Sequence, residues 1–283
     1  MTWPAGSGDR DYDDFAREDA LGLAELLSDH APVTMLAHPE DVAECALRSP
    51  SAVSALAARH GGRPVGRLAP RWLVDGSDRV VAAMAGRDDL SRLIAEATGV
   101  AVMTPPVELD FSAMDCDGEG TVLACDRLAP GHSGGRAEAE AVLADWLGVE
   151  RVIWCDEAGG HLPARFLAPG LVAVPLGRDE RHPVHDVLAA NRDRLAATLD
   201  AAGRLIKVVG LPCPKRAGGC YADALVAGKL VIVPVFEDRL DDEAVARLAG
   251  ALPGSRPITF PATYLAPAAG GGLGMVVAVS PPE

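Results

Sequence analysis

The residues able to do covalent chemistry in this chain are few and scattered. Six cysteines occur, Cys45, Cys116, Cys125, Cys155, Cys213 and Cys220, and no two form a Cys-x-x-Cys pair. Zinc ribbons and thioredoxin-type redox motifs are therefore unsupported. His182 and His185 lie near Asp179, Glu180 and Asp186, but that spacing is no recognised metal set, so neither a metal nor another cofactor is expected. Near the C-terminus runs Gly270-Gly271-Gly272-Leu273-Gly274-Met275, followed by the apolar Val276 to Val279. Glycines let a backbone turn sharply and approach a ligand closely, because no Cβ forbids positive φ. The residue leaving that turn is well placed to face a site. It is Met275, whose thioether can wall a pocket but carries no ionisable proton and cannot attack as an anion.

The elements that would position such residues recur. Trp72 to Val74 and Val80 to Met84 flank Asp75-Gly76-Ser77-Asp78, a hairpin with turn chemistry at its centre. A helix from Asp88 to Thr98 and a strand at Val100 to Val102 follow. Phe111 to Cys116 and Thr121 to Cys125 flank Asp117-Gly118-Glu119-Gly120, a second hairpin, followed by a helix from Ala137 to Leu147 and a strand at Val152 to Trp154. Ala222 to Ala227 and Leu230 to Val233 pair across Gly228-Lys229, ahead of a helix from Asp241 to Leu252 and a strand at Ile258 to Phe260. A hairpin, a helix and a further strand thus appear over 72–102, 111–154 and 222–260.

Imperfect versions lie between and around these units. Leu171 to Val174 and Leu205 to Val209 read as strands around a long helix from His185 to Ala202. Glu18 to Asp29 reads as an amphipathic helix, Val33 to Ala37 as a strand, Asp41 to Ser49 as a helix, and Ser51 to Arg59 as another helix stopped by Gly61-Gly62. Residues 1–16 read as an irregular, polar lead-in. Repetition of this kind points to an α/β fold with radial or solenoid symmetry. No linker rich in Pro, Gly or Ser divides the chain, so residues 1–283 are read as a single domain.

A formal net charge of -14 disfavours sequence-independent binding to nucleic acid, which needs clustered Lys and Arg. It would sooner attract small cations, although an acidic surface also serves solubility alone. No apolar run reaches the roughly 20 residues a membrane span requires. The opening Met1-Thr2-Trp3-Pro4 has no basic or apolar leader, so a cytoplasmic protein with reduced thiols is expected. Oligomeric state is left open, a homo-oligomer included.

At Asp117-Gly118-Glu119-Gly120-Thr121 and Gly148-Val149-Glu150-Arg151-Val152-Ile153-Trp154 the sequence becomes specific. With Gly160-His161 and Arg165-Phe166, these segments resemble the agmatine deiminase and bacterial peptidyl-arginine deiminase family. Trp3-Pro4, Pro212, Pro214, Tyr221, Val231 to Pro234, Asp241-Asp242, Pro253 and Gly270 to Gly272 fall in the same order. The resemblance covers nearly the whole chain and implies the pentein fold, a five-bladed αβ propeller with its site in a central channel. It also implies hydrolysis of a guanidinium: a cysteine attacks the guanidino carbon, a histidine moves protons, and carboxylates hold the planar cation.

Position by position, the resemblance carries over in part. The proton-shuttling histidine matches His161. The acids two residues before and two after it fall on Gly159 and Pro163. The Arg-Asp-x-Gly-Pro stretch matches Arg67-Leu68-Ala69-Pro70, so its aspartate is Leu68. The glutamate ahead of the second hairpin corresponds to Asp110 or Glu108. The terminal Gly-Gly-x-His-Cys matches Gly271-Gly272-Leu273-Gly274-Met275, so Met275 stands at the nucleophile position. The ligand-binding set becomes Arg67, Trp72, Asp110, Asp156, Glu157 and Met275, with Arg165 structural and Cys155 or Cys220 the only thiols considered as displaced nucleophiles.

Three functions follow from this mapping. One is a catalytically reduced pentein that binds a cationic or guanidino-like small molecule, or a partner, without hydrolysing it. Another is altered chemistry using His161 with Asp156, Glu157 or a displaced cysteine. The last is agmatine deiminase activity proper.

Overall fold

Short antiparallel hairpins, each extended by a parallel strand that returns across a helix, make up most of this mixed α/β structure. The structure is a computed structural model and describes residues 1, 3–4, 9–57, 59–60, 63–64, 73–74, 80–81, 101–103, 107, 109–110, 113–129, 135–177, 183–215, 218–265 and 273. The second unit shows how sequence builds one module. Strands β8 (Met114–Cys116) and β9 (Thr121–Ala124) pair antiparallel, Met114 opposite Ala124. Their turn is set by Asp117, whose Oδ1 accepts from the backbone N–H of Glu119 at 2.7 Å and of Thr121 at 2.9 Å. Helix α3 (Gly135–Leu147) stops at Gly148, where φ is +65°. The Val149 N–H then bonds the Leu143 carbonyl at 3.3 Å, closing the helix end. The chain returns as β10 (Arg151–Trp154), parallel to β9 with Arg151 opposite Thr121.

Two more units repeat the plan in full. Strands β11 (Arg165–Ala168) and β12 (Leu171–Pro175) pair antiparallel. Helix α4 (His185–Ala196) then leads to β13 (Lys207–Leu211), parallel to β12. Strands β14 (Leu225–Ala227) and β15 (Leu230–Val235) pair across Gly228, and α5 (Asp241–Ala251) leads to the parallel β16 (Arg256–Pro261). Earlier in the chain, β5 (Leu73–Val74), β6 (Val80–Val81) and β7 (Val102–Met103) have the same antiparallel-then-parallel pairing. The described parts of the expected hairpins, β5–β6, β8–β9 and β14–β15, are therefore paired as expected, although Ala222 and Asp223, expected in a strand, lie in the 3-10 turn Tyr221–Asp223, and β11–β13 with α4 follow the same plan. The expected helix at 88–98 and strand at 276–279 lie outside the described residues.

The N-terminal part differs from the sequence reading in two places. Helix α1 (Arg10–Ser28) starts within the stretch expected to be irregular, capped by Asp9, whose Oδ1 accepts from the Tyr12 N–H at 3.2 Å. Its buried residues Ala16, Ala20, Leu23 and Ala24 follow helical spacing, but small alanines give a weak apolar signal. Strand β1 (Val33–Ala37) and helix α2 (Val42–Arg48) are as expected. Residues 53–57, expected to be helical, instead form β2, parallel to β1 with Val53 opposite Val33 and Ala57 opposite Ala37. The alanines there favour helix locally, and the ladder with β1 overrides them. Helix α4 also stops at Ala196, six residues before the expected end at 202. Residues 198–206 instead fold back through a Leu199–Leu205 bridge and the bond from the Arg204 N–H to Asp200 Oδ1 at 2.8 Å.

Two apolar clusters fill the interior. Leu109, Leu123, Leu128, Leu143, Ile153 and Val172 pack under the second and third units. Leu23, Met35, Tyr221, Ile232, Leu248 and Phe260 join α1 and β1 to the C-terminal unit. Trp3, 2% exposed, belongs to the latter and is covered by the guanidinium groups of Arg17 and Arg48, 5.5 and 5.8 Å from its ring. Met1 and Trp3 bond to β1: the Trp3 N–H donates to the Leu36 carbonyl and the Leu36 N–H to the Met1 carbonyl, each at 2.8 Å.

Asp241 holds the C-terminal unit together. Its Oδ1 accepts from the buried Tyr221 hydroxyl at 2.6 Å and the Phe236 N–H at 3.1 Å, and its Oδ2 from the Asp238 N–H at 3.0 Å. Asp241→Ala should lower stability by about 1–3 kcal/mol in urea denaturation, because these donors lose their acceptor. Asp241→Asn should lose less.

Candidate functional site

His161 owes its position to a tight turn. Ala158 and His161 face each other across Gly159-Gly160, with φ of +63° and +78°. Two consecutive left-handed residues give the turn the hand of a type I′ hairpin, which glycine adopts without strain. The Ala158 N–H reaches the His161 carbonyl at 3.0 Å, and the His161 N–H the Ala158 carbonyl at 3.3 Å. His161 is exposed, and its imidazole makes no hydrogen bond among the described residues.

Beside this turn lies the short 3-10 turn Asp126–Leu128, which follows β9. Its Arg127 connects three of the segments that matter. The backbone N–H donates to Glu157 Oε1 at 3.2 Å. Nη2 donates to Asp110 Oδ2 at 2.9 Å, and Nη1 donates to the Gly160 carbonyl. Asp110 is in turn tied to the same turn, its N–H bonded to the Leu128 carbonyl at 2.8 Å. The Arg127 guanidinium thereby meets Asp110 and the Gly160 carbonyl, next in sequence to His161, while Glu157 holds the Arg127 main chain.

Asp156 has a different task. Its Oδ2 pairs with Arg194 Nη2 at 2.8 Å, and its main chain is held at both ends by the buried Asn191 side chain, at 2.9 and 2.7 Å. Arg194 also donates to the Trp154 carbonyl at 2.8 Å. Asp156 thus locks the loop after β10 onto α4.

Arg165 sits deeper, its side chain 17% exposed beside Asp223 at 12%, with Nε 3.2 Å from Asp223 Oδ1. Nη1 donates to the carbonyls of Leu162 and Ala164 at 3.2 and 3.1 Å. Burial works against its charge, but Asp223 and Asp115 outweigh it and hold the guanidinium more firmly protonated than usual. Asp115 accepts from the Phe166 N–H at 2.7 Å, joining β8 to β11.

All six cysteines are free thiols. Burial pushes Cys155 up to about 12, against the pull of Arg194. It pushes Cys125 up to about 11, with the Glu157 carboxylate adding to the effect. Cys220, which precedes the 3-10 turn Tyr221–Asp223, is raised by burial and then by Asp223. Neither Cys155 nor Cys220 hydrogen-bonds to His161 among the described residues. Arg67, Trp72 and Met275 lie outside the described residues, as does the segment 178–182 that carries His182. Among the described residues no group of three or more His, Cys, Asp and Glu side chains is arranged to hold a metal. No described helix is long and apolar enough to cross a membrane. The sequence reading did not single out Arg127, Arg194 or Asn191 at all.

Comparison with known proteins places the chain in a family. The chain matches the profile of the Porphyromonas-type peptidyl-arginine deiminase family over residues 1–274, and it belongs to that family. A relative from Streptomyces coelicolor, provisionally named an agmatine deiminase, is 30% identical over 217 residues, 68% of this chain and 64% of its own. A similarly named protein of Yersinia pseudotuberculosis is 29% identical over 193 residues, 56% of this chain and 53% of its own. The match therefore spans about half the length of such relatives. In structure the chain superposes on the agmatine deiminase of Enterococcus faecalis with a TM-score of 0.80 at 21% identity, covering 98% of this chain and 90% of that one. It superposes on the dimethylarginine dimethylaminohydrolase structure with a TM-score of 0.56 at 14% identity, covering 97% of this chain and 96% of that one.

The thiols and the buried ion pair can both be tested. Iodoacetamide at pH 7.5 should leave Cys125 and Cys155 unlabelled in the folded chain and label both in urea, as read by peptide mass spectrometry. Arg165→Ala should destabilise the fold by about 3–5 kcal/mol, because it strands a buried carboxylate, as read by denaturant unfolding.

Proposed function

We propose that this chain is a guanidinium-recognising member of its family in which cysteine-dependent hydrolysis has been lost. The observation that carries the reading is the seat formed by Asp110 and the Gly160 carbonyl, one residue from His161, which holds a guanidinium group belonging to the chain itself. A carboxylate and a carbonyl facing the same planar cation are what recognition of a guanidino ligand requires. The sequence supports the loss of hydrolysis: the match to Gly-Gly-x-His-Cys ends on Met275, which cannot form the covalent adduct that splits the reaction into two steps. The raised thiols of Cys155 and Cys220 make poor substitutes at neutral pH. In this reading the repeated units form the five-bladed pentein arrangement within a single domain, and the protein is cytoplasmic. The hairpin–helix–strand repetition and the superposition on agmatine deiminase structures support the arrangement.

A second reading, hydrolysis of agmatine itself, is favoured by the name carried by the 30% identical Streptomyces coelicolor relative. Incubating the full chain with agmatine and measuring ammonia and ureido product separates the two. The first reading expects agmatine to bind by calorimetry with no ammonia above the buffer control. Sustained turnover that His161→Ala abolishes would replace it with the second. Absence of both binding and turnover would remove guanidinium recognition altogether.

A further inference from the structure

The guanidinium in the Asp110 seat is covalently part of the protein, and the structure gives it the contacts a ligand would need. We infer that Arg127 is an internal occupant of this seat, so that an alkylguanidinium ligand binds only by displacing it. This inference rests on the guanidinium reading above and adds the residue that sets the affinity of the site for cations.

The geometry makes displacement feasible. Arg127 is anchored through its backbone N–H to Glu157, so its side chain can leave Asp110 without disturbing the 3-10 turn. The two partners are 36% and 23% exposed, so water and a ligand can reach the pair. Ion pairs open to solvent are weak enough to exchange. Two other arginine–carboxylate pairs near this site, Arg165–Asp223 and Arg194–Asp156, are less suited to the role. Arg165 and Asp223 are far more enclosed, and Arg194, on α4, is also bonded to the Trp154 carbonyl. Arg127 donates directly to the Gly160 carbonyl, within the turn that presents His161.

Competition from within has an arithmetic consequence. If Arg127 fills the seat about nine-tenths of the time, the apparent Kd of a ligand rises about tenfold over that of an empty seat. Removing the internal guanidinium should therefore tighten binding, the opposite of what loss of a merely structural brace would do.

Agmatine titrated by calorimetry into the unmodified chain, Arg127→Ala and Arg127→Gln tests this. Both variants are expected to bind about five- to tenfold more tightly, and Asp110→Asn is expected to weaken binding in either background. Thermal melts accompany each titration. Should both variants unfold, the unmodified chain still decides the matter. In its nitrogen-15 NMR spectrum, saturating agmatine must shift or broaden the Arg127 Nε–H signal, and an unaltered signal overturns the inference. Equal affinities in the unmodified and variant chains overturn the displacement while leaving guanidinium recognition standing. Failure of all three folded chains to bind agmatine overturns both.

Discussion

The site depends on the burial of one charge. Arg165 is placed where its guanidinium is nearly out of water, and such a group is tolerated only with compensating partners. It has them on three sides: the Asp223 carboxylate, the carbonyls of Leu162 and Ala164, and the field of Asp115. Those partners come from different parts of the chain. Asp115 belongs to the second unit, Arg165 opens the third, and Asp223 precedes the C-terminal one. The two carbonyls close the loop that carries Gly160 and His161. The electrostatic demand of one side chain thus sets where the histidine turn can be.

Charge is handled locally throughout this region. The chain carries a formal net charge of -14, yet the acids around His161 do not act as an open negative surface. Asp110 faces Arg127, Asp156 faces Arg194, and Asp126 faces Arg136, which also lies 4.7 Å over the Trp154 ring. A net charge read from composition describes the field at a distance. Within a few ångströms, individual pairs decide what a ligand meets.

Much of the architecture was legible in the sequence because its signals are local. Asp-Gly-Glu-Gly between two apolar runs specifies a hairpin, and Gly148 and Gly228 mark a helix end and a turn by their backbone freedom. The failures share a cause. Val53 to Ala57 reads as helix from its alanines, and only the partner strand twenty residues earlier makes it a strand. Alanines 16, 20 and 24 give little apolar signal, yet they are fully covered in α1. At the site, the Gly-Gly-His turn could be found from glycine chemistry and from the family resemblance. Arg127 could not, because its role arises from Asp110, 17 positions earlier, and Gly160, 33 positions later. No local pattern encodes such a meeting.

The bonds from Met1 and Trp3 to β1 bear on how that strand edge meets its surroundings. A parallel pair of strands with a bare outer rim offers its amide and carbonyl groups to any extended chain that drifts past, which is how soluble proteins begin to stack on one another. Here the Leu36 amide and carbonyl on the rim of β1 are already taken by Met1 and Trp3, and Trp3 is wedged beneath two guanidinium groups. A buried tryptophan thereby helps to hold backbone groups of a strand edge inside the protein's own bonding.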